Sequence, residues 1–308
     1  MCKRKRFGSY GMVLGLFLFL SLSPAMLGAA YYTFPLNLTL CGETVPLENR
    51  RIWERMDREF TLQVYDRAQV YLWMKRCHRL FPFVEERLKT KGMPDDLKFL
   101  MVAESSLLPR ALSNKGAAGF WQFMERTGKR FNLQKKNWID ERLNLEKATD
   151  AAINYLKELY EQFGKWTLAM AAYNCGEDRL REEILQQGEN DFYRLALPQE
   201  TERYIFRILA AKVILSDPGA YGYYVPPQDL YLPEEAEKVL LQLPQTTPLR
   251  EVAKACGSYF KEMKELNPEL QGHTLPAGTY FLNVPKGGKA LLENHPVYKT
   301  YLRSTPGS

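Results

Sequence analysis

Glu104 is the side chain best suited to chemistry in this sequence. It stands near the end of an apolar stretch, in Val102-Ala103-Glu104-Ser105-Ser106-Leu107. A carboxyl held among apolar neighbours keeps its proton, because burial penalises the charged form. That is the state a general acid needs. Three further pieces fit a site around it. Ser113 opens a glycine-rich segment that runs through Gly116 to Gly119 and brings a polar loop back towards that helix end. Gln122 carries an amide that both donates and accepts. Tyr173-Asn174 offers a phenol and an amide at the end of another apolar run. Each has a plainer alternative when taken singly: Gln122 as a solvated residue, Tyr173 as a core aromatic, Asn174 as a helix cap before Gly176.

The elements that must hold these groups are helical. Ile52, Met56, Phe60 and Val64, then Val70, Trp73 and Met74, recur at three- and four-residue steps. Phe81-Pro82 is expected to break that run and Val84 to Leu88 to restart it. Gly92-Met93-Pro94 stops the helical pattern, and Pro94-Asp95-Asp96 opens the helix that carries Glu104. The spacing predicts further helices through Trp121, Phe123 and Met124, over Asn144 to Phe163, over Trp166 to Asn174 and over Glu200 to Leu215. After Ser216, Asp217-Pro218-Gly219 and Val225-Pro226-Pro227 read as turn and linker. A small unit follows: helices over Leu249 to Cys256 and Phe260 to Leu266, the corner Asn267-Pro268, then a strand over Tyr280 to Pro285.

Composition closes off several classes of function. At 308 residues the chain holds one or two domains. Charged residues make up 25% and hydrophobic ones 45%, an ordinary globular balance. The net charge is +6, but Lys3, Arg4, Lys5 and Arg6 supply four of those charges before any acid appears. No nucleic-acid footprint is expected from so small a remainder. Three histidines and five scattered cysteines form no zinc pattern, and phosphate-cradling glycine loops are absent from the sequence, so neither a metal nor a cofactor is expected.

The basic start, the apolar run from Met12 to Leu22 and the small residues Gly28-Ala29-Ala30 read as a secretory signal peptide, cleaved near Ala29 or Ala30. An uncleaved anchor is the rival, so membrane association stays open. Export to the periplasm or cell envelope permits disulfides among Cys41, Cys77, Cys175 and Cys256, and a Cys41–Cys77 bridge stays open.

The segment Glu104 to Ser113, then Gly116-Ala117-Ala118-Gly119-Phe120-Trp121-Gln122-Phe123-Met124, then Ala172-Tyr173-Asn174-Cys175-Gly176 resembles the soluble-lytic-transglycosylase (SLT) catalytic domain, whose motifs are written ES, GLMQ and AYN. Leu197-Pro198-Gln199-Glu200-Thr201-Glu202-Arg203-Tyr204 is similar to that family's later P-x-E-T-x-x-Y segment. The form Gly119-Phe120-Trp121-Gln122 and the following Trp138 to Arg142 look most like the membrane-bound lytic murein transglycosylase D branch. Trp121 stands where methionine is usual, and Cys175 where alanine or serine is.

The resemblance implies a mainly α protein with a lysozyme-like domain that cleaves the MurNAc-β-1,4-GlcNAc bond of peptidoglycan glycan strands. On that basis Glu104 is the catalytic acid/base. Ser105, Ser113, Gln122, Met124, Tyr173, Asn174 and Glu200 fall on substrate-binding or site-shaping positions. Residues 249 to 285 resemble a LysM glycan-binding module whose first strand signature is replaced by Gln245-Thr246-Thr247-Pro248. The expected organisation is a signal peptide over 1–30, an N-terminal helical extension over 31–92, and the lysozyme-like domain over 93–216. A linker over 217–243, a small α/β LysM-like module over 244–286 and a tail over 287–308 complete it.

One expectation rests on counting acids. Ordinary glycosidases need a second carboxyl about 5 to 9 Å from the first. Asp95 and Asp96 lie eight or nine positions before Glu104, roughly 12 Å along a helix, and Glu125 is expected to point elsewhere. A single acid would require the sugar to supply its own nucleophile, closing a 1,6-anhydro ring.

Overall fold

The computed structural model describes residues 31–304; the signal-peptide reading falls on residues outside that range. A short hairpin, β1 (Thr39–Leu40) and β2 (Glu43–Thr44), leads into two helices, α1 (Arg50–Val64) and α2 (Arg67–Thr90). Asn49 and Asp66 cap them, each side chain accepting from a backbone N–H of the first turn. Helix α2 continues straight through Pro82, contrary to the break expected there. Interior proline costs about 3 kcal/mol. Burial of Val70, Trp73, Leu80, Val84 and Leu88 along one face offsets it, at about 1.5–3 kcal/mol for each fully buried apolar side chain.

After a 3₁₀ turn at Asp95–Leu97 comes α3 (Lys98–Ser105), with Glu104 one residue from its end. The helix is stopped by left-handed backbone at Ser106 and Leu107. The helix expected through Trp121 and Met124 does not form. Residues 111–123 instead fold back on themselves through bridges pairing Leu112 with Ala118 and Ala118 with Phe123, and α4 begins only at Glu125 (Glu125–Arg130). Gly119 makes this turn possible. Its φ is +81°, and a Cβ there would collide with the carbonyl oxygen of Arg142.

The hairpin β3 (Lys135–Lys136) and β4 (Ile139–Asp140) then precedes α5 (Leu145–Phe163), α6 (Trp166–Cys175), α7 (Glu177–Gln187) and α8 (Gln199–Ser216). Asn144 caps the start of α5, and Gly164, at φ +71°, ends it. Seven consecutive residues of α6, Trp166 to Ala172, are buried, so this helix lies wholly inside. Helix α8 is the axis of the core. It packs against α1, α3 and α6 and buries Tyr204, Phe206, Ile208 and Leu209. Residues 31–92, expected as an extension, share this one hydrophobic core with the rest of the helices.

A second core forms further on. Strand β5 (Ala236–Leu243) occupies residues expected to be linker. Then come β6 (Thr247–Pro248), α9 (Leu249–Ala255), α10 (Phe260–Leu266), β7 (Thr274–Leu275) and β8 (Gly278–Pro285). Strand β8 pairs antiparallel with β5 from Ala236 opposite Pro285 to Leu243 opposite Gly278. The expected tail also belongs to this unit: α11 (Gly288–Asn294) packs on it, and β9 (Leu302–Arg303) adds to the free edge of β5. The linker correction has a tertiary cause. Alternation in Val239, Leu241 and Leu243 buries one face of β5, yet the preceding prolines read as linker, and only the distant partner β8 completes the pair.

The two cores are joined by backbone. Asp140 N donates to Glu269 O at 2.8 Å and Gln271 N to Trp138 O at 2.8 Å, while Ile139 packs into the second core. Cys41, Cys77, Cys175 and Cys256 are free thiols, so the Cys41–Cys77 bridge is not formed.

Candidate active site

The carboxyl of Glu104 is half-buried where α3 meets α8. Its Oε1 accepts a hydrogen bond from the phenol of Tyr204, itself fully buried on α8. Burial drives the Glu104 pKa up to about 7. The Tyr204 hydrogen bond and the positive charge of Arg207 pull it back, whereas the negative charge of Glu200 adds to the rise. Arg207 lies one turn of α8 beyond Tyr204, its guanidinium carbon 5.8 Å from the centre of that ring. The result is an acid that still holds much of its proton near neutrality, as a general acid must.

Glu200 changes the acid count. It sits on the exposed first turn of α8, one turn before Tyr204, and its charge is felt at Glu104. Measuring acids along the helix of Glu104 alone could not detect a carboxylate delivered by another helix. Asp95, Asp96 and Glu125 do stay apart from the site, each paired with a lysine: Asp95 with Lys98, Asp96 with Lys212, Glu125 with Lys135.

The Tyr173 phenol donates to Trp121 O at 2.7 Å, tying α6 to the folded-back loop, and its ring lies close enough to Glu104 to feel its charge. Asn174 Oδ1 accepts from Thr201 Oγ1 at 2.8 Å, which fixes its amide beside the first turn of α8. Gln122, in left-handed backbone at φ +49°, spends both amide N–H groups on its own loop, to Gly119 O at 2.8 Å and Ala111 O at 3.1 Å. Its Oε1 is therefore the atom left to meet a ligand.

Ser113 Oγ accepts from Ala117 N at 3.0 Å and so braces the loop rather than Glu104. Met124 is exposed on the rim beyond Gln122. Ser105 has its hydroxyl bonded within its own helix end. It is buried, donates to Met101 O and accepts from Leu107 N, so its hydroxyl closes the helix end.

Two groups escaped the sequence reading. Tyr204 stood in the recognised segment without a role, since an (i, i+100) hydrogen bond has no local signal. Arg142 is 2% exposed and forms a two-pronged pair with Asp140, at 2.9 Å from Nε and 2.7 Å from Nη2. Its remaining nitrogen Nη1 donates to Gly116 O at 2.8 Å and Phe123 O at 2.9 Å, pinning both ends of the loop that carries Gln122. The buried Trp121, which replaces the usual methionine, adds a third tie by donating to Thr149 Oγ1 at 3.0 Å.

Residues 81–195 match the family model "Transglycosylase SLT domain". Over 250 residues, 78% of its length, it is 31% identical to membrane-bound lytic murein transglycosylase D of Escherichia coli K12. The chain spans about half, 52%, of that relative's length. It is also 32% identical over 115 residues to a putative tributyltin chloride resistance protein of Alteromonas sp. strain M-1, covering 36% of this chain and 56% of that one. Among solved structures it is similar to the 70 kDa soluble lytic transglycosylase SLT70 from Escherichia coli, at 23% identity and a TM-score of 0.32, over 46% of this chain and 24% of that one.

Proposed function

We propose that this chain is a lytic transglycosylase that cleaves the MurNAc-β-1,4-GlcNAc bond of peptidoglycan, with Glu104 as acid and then base. The observation that carries this reading is the Glu104 carboxyl, its pKa lifted to about 7 by burial within a transglycosylase SLT domain. Glu104 protonates the glycosidic oxygen as the C1–O bond breaks, and the acetamido carbonyl of MurNAc shares the positive charge that develops at C1. The carboxylate then takes the proton of the MurNAc C6 hydroxyl while that oxygen closes on C1. The product is a 1,6-anhydro ring, no water is consumed, and no cofactor enters. On this reading, Oε1 of Gln122 and the Asn174 amide receive sugar hydroxyl or N-acetyl groups.

The leader and the relatives support an envelope location. Among the described residues no helix is long and apolar enough to cross a membrane. The β–α–α–β unit over 236–285 supports a LysM-like reading of that part.

A second reading, a lysozyme-type hydrolase, is favoured by the nearness of Glu200, which could activate a water. Two measurements separate them. Digestion of purified wall followed by mass spectrometry is expected to give muropeptides lighter by one water than hydrolysis products; ordinary reducing ends would establish the hydrolase instead. The Glu200→Gln variant supplies the other. Under the transglycosylase reading Glu200 acts mainly through its charge, so its loss lowers the Glu104 pKa and moves the alkaline limb of the rate profile to lower pH. At pH 8 that is a drop of about threefold for half a pH unit. A general base would instead cost about 10²–10⁴-fold at every pH.

A further inference from the structure

The loop that carries Gln122 has little of its own to hold it. Residues 111–123 are closed by two isolated bridges, and Gly116, Gly119 and Gln122 all sit in left-handed backbone, at φ +87°, +81° and +49°. Glutamine rarely adopts that conformation, which persists only where the surroundings impose it. Yet this loop must keep its place, because Trp121 O accepts from the Tyr173 phenol, whose ring feels the Glu104 charge.

Two ties reach the loop from the second core. The first runs through the hairpin β3–β4. Gln271 N and Gly272 N donate to Trp138 O at 2.8 and 3.2 Å, Ile139 pairs with Leu270, and Asp140 N donates to Glu269 O at 2.8 Å. Asp140 turns that grip towards the site. Its backbone N–H is held by the second core, while its carboxylate holds Nε and Nη2 of Arg142, whose Nη1 donates to Gly116 O and Phe123 O. The second tie is Arg110, six residues after Glu104, whose Nη2 donates to Lys264 O of α10 at 2.5 Å. The next residue, Ala111, accepts through its carbonyl from Gly119 N at 2.9 Å and from the Gln122 amide. The start of the loop is thus fastened directly, and its far end through a buried ion pair.

We propose that the second core positions the Gln122 loop for catalysis, with Asp140 as the positioning residue that passes its grip to Arg142 and Arg110 as the other tie. The inference rests on the reading of this chain as a peptidoglycan enzyme and gives the second core a duty separate from any carbohydrate it binds. A unit that served only to hold wall could hang on a free linker. This one is bonded to the residue that anchors the active-site loop.

Gly272 offers a way to loosen the grip from the side away from the loop. A Cβ there would meet Trp138 Cβ at 3.0 Å and Trp138 Cα at 3.3 Å, so Gly272→Val wedges the hairpin away from the second core. Arg110→Ala cuts the other tie at an exposed side chain. The test is hydrogen exchange of the full chain, read by mass spectrometry, in Gly272→Val and in the double variant. The loop amides of Gly119 and Phe123 should exchange about tenfold faster than in the parent, while the amides of α8 keep the parent's rate. Turnover per molecule bound to purified wall should fall by about tenfold as well.

Loop exchange at the parent's rate in both variants overturns the proposal, whether or not α10 stays protected. So does a loosened loop with turnover intact, and so does equal acceleration in α8, which would mark a general loss of stability. Exchange is read without substrate, so it judges the brace independently of the chemistry. A parent that turns over no wall while its loop answers to the wedge strikes the catalytic reading and leaves the brace standing.

Discussion

Glu104→Gln is expected to lower the rate of wall solubilisation by about 10²–10⁴-fold, the range for removing a general acid. The amide keeps the shape and still accepts from the Tyr204 phenol, so binding of wall should persist while turnover fails. A variant that solubilises purified wall as fast as the parent would show that Glu104 is not the acid. Stability should move the other way. The folded-state pKa, about 7, exceeds the ordinary 4.5, so the native state binds the extra proton between those values. The stability tied to that proton is present in full below about pH 4.5 and is lost as pH rises through about 7. Glutamine has no such dependence. At pH 8 the variant should be more stable than the parent, by on the order of 2 kcal/mol, with the difference vanishing towards pH 4.5. Denaturant titration at the two pH values measures it.

Arg142→Met is expected to be the most damaging substitution outside the acid itself. It strands Asp140, 8% exposed, without its cation, and releases Gly116 O and Phe123 O together. Breaking one side of a buried pair costs about 3–5 kcal/mol, against a total stability of about 5–15 kcal/mol for a typical domain. The loop bearing Gln122 loses its anchor at the same time, so activity should fall further than the unfolded fraction explains. Adding Asp140→Asn should restore part of the stability, because the orphaned charge is gone. A single variant that melts within a degree or two of the parent would show that the pair carries little.

Much of the helical frame was legible because its signals are local. Residues capable of capping stand at Asn144 and Gly164, and apolar residues recur at helical steps through α1, α5 and α8. Helix α10 spans the expected residues, Phe260 to Leu266. Pro82 misled because its penalty is local while the burial that outweighs it comes from other helices. The stretch over 118–124 misled for the opposite reason: its apolar spacing suits a helix, but Gly119 and the Arg142 anchor hold it in a turn. Strand β5 stayed hidden until its partner forty residues away was in place.

By itself the amino-acid order determined the helical class, the approximate ends of most helices, and Glu104 as the one carboxyl set in an apolar run with recognisable motifs after it. Those properties depend on neighbours within a few positions. Tertiary structure decided what surrounds that carboxyl: the Tyr204 phenol bonded to it, the Glu200 charge beside it, and the Arg142 clamp over its loop. Proton affinity and charge balance are set through space. Groups a hundred residues apart in the chain act on one another only once burial has removed the water between them.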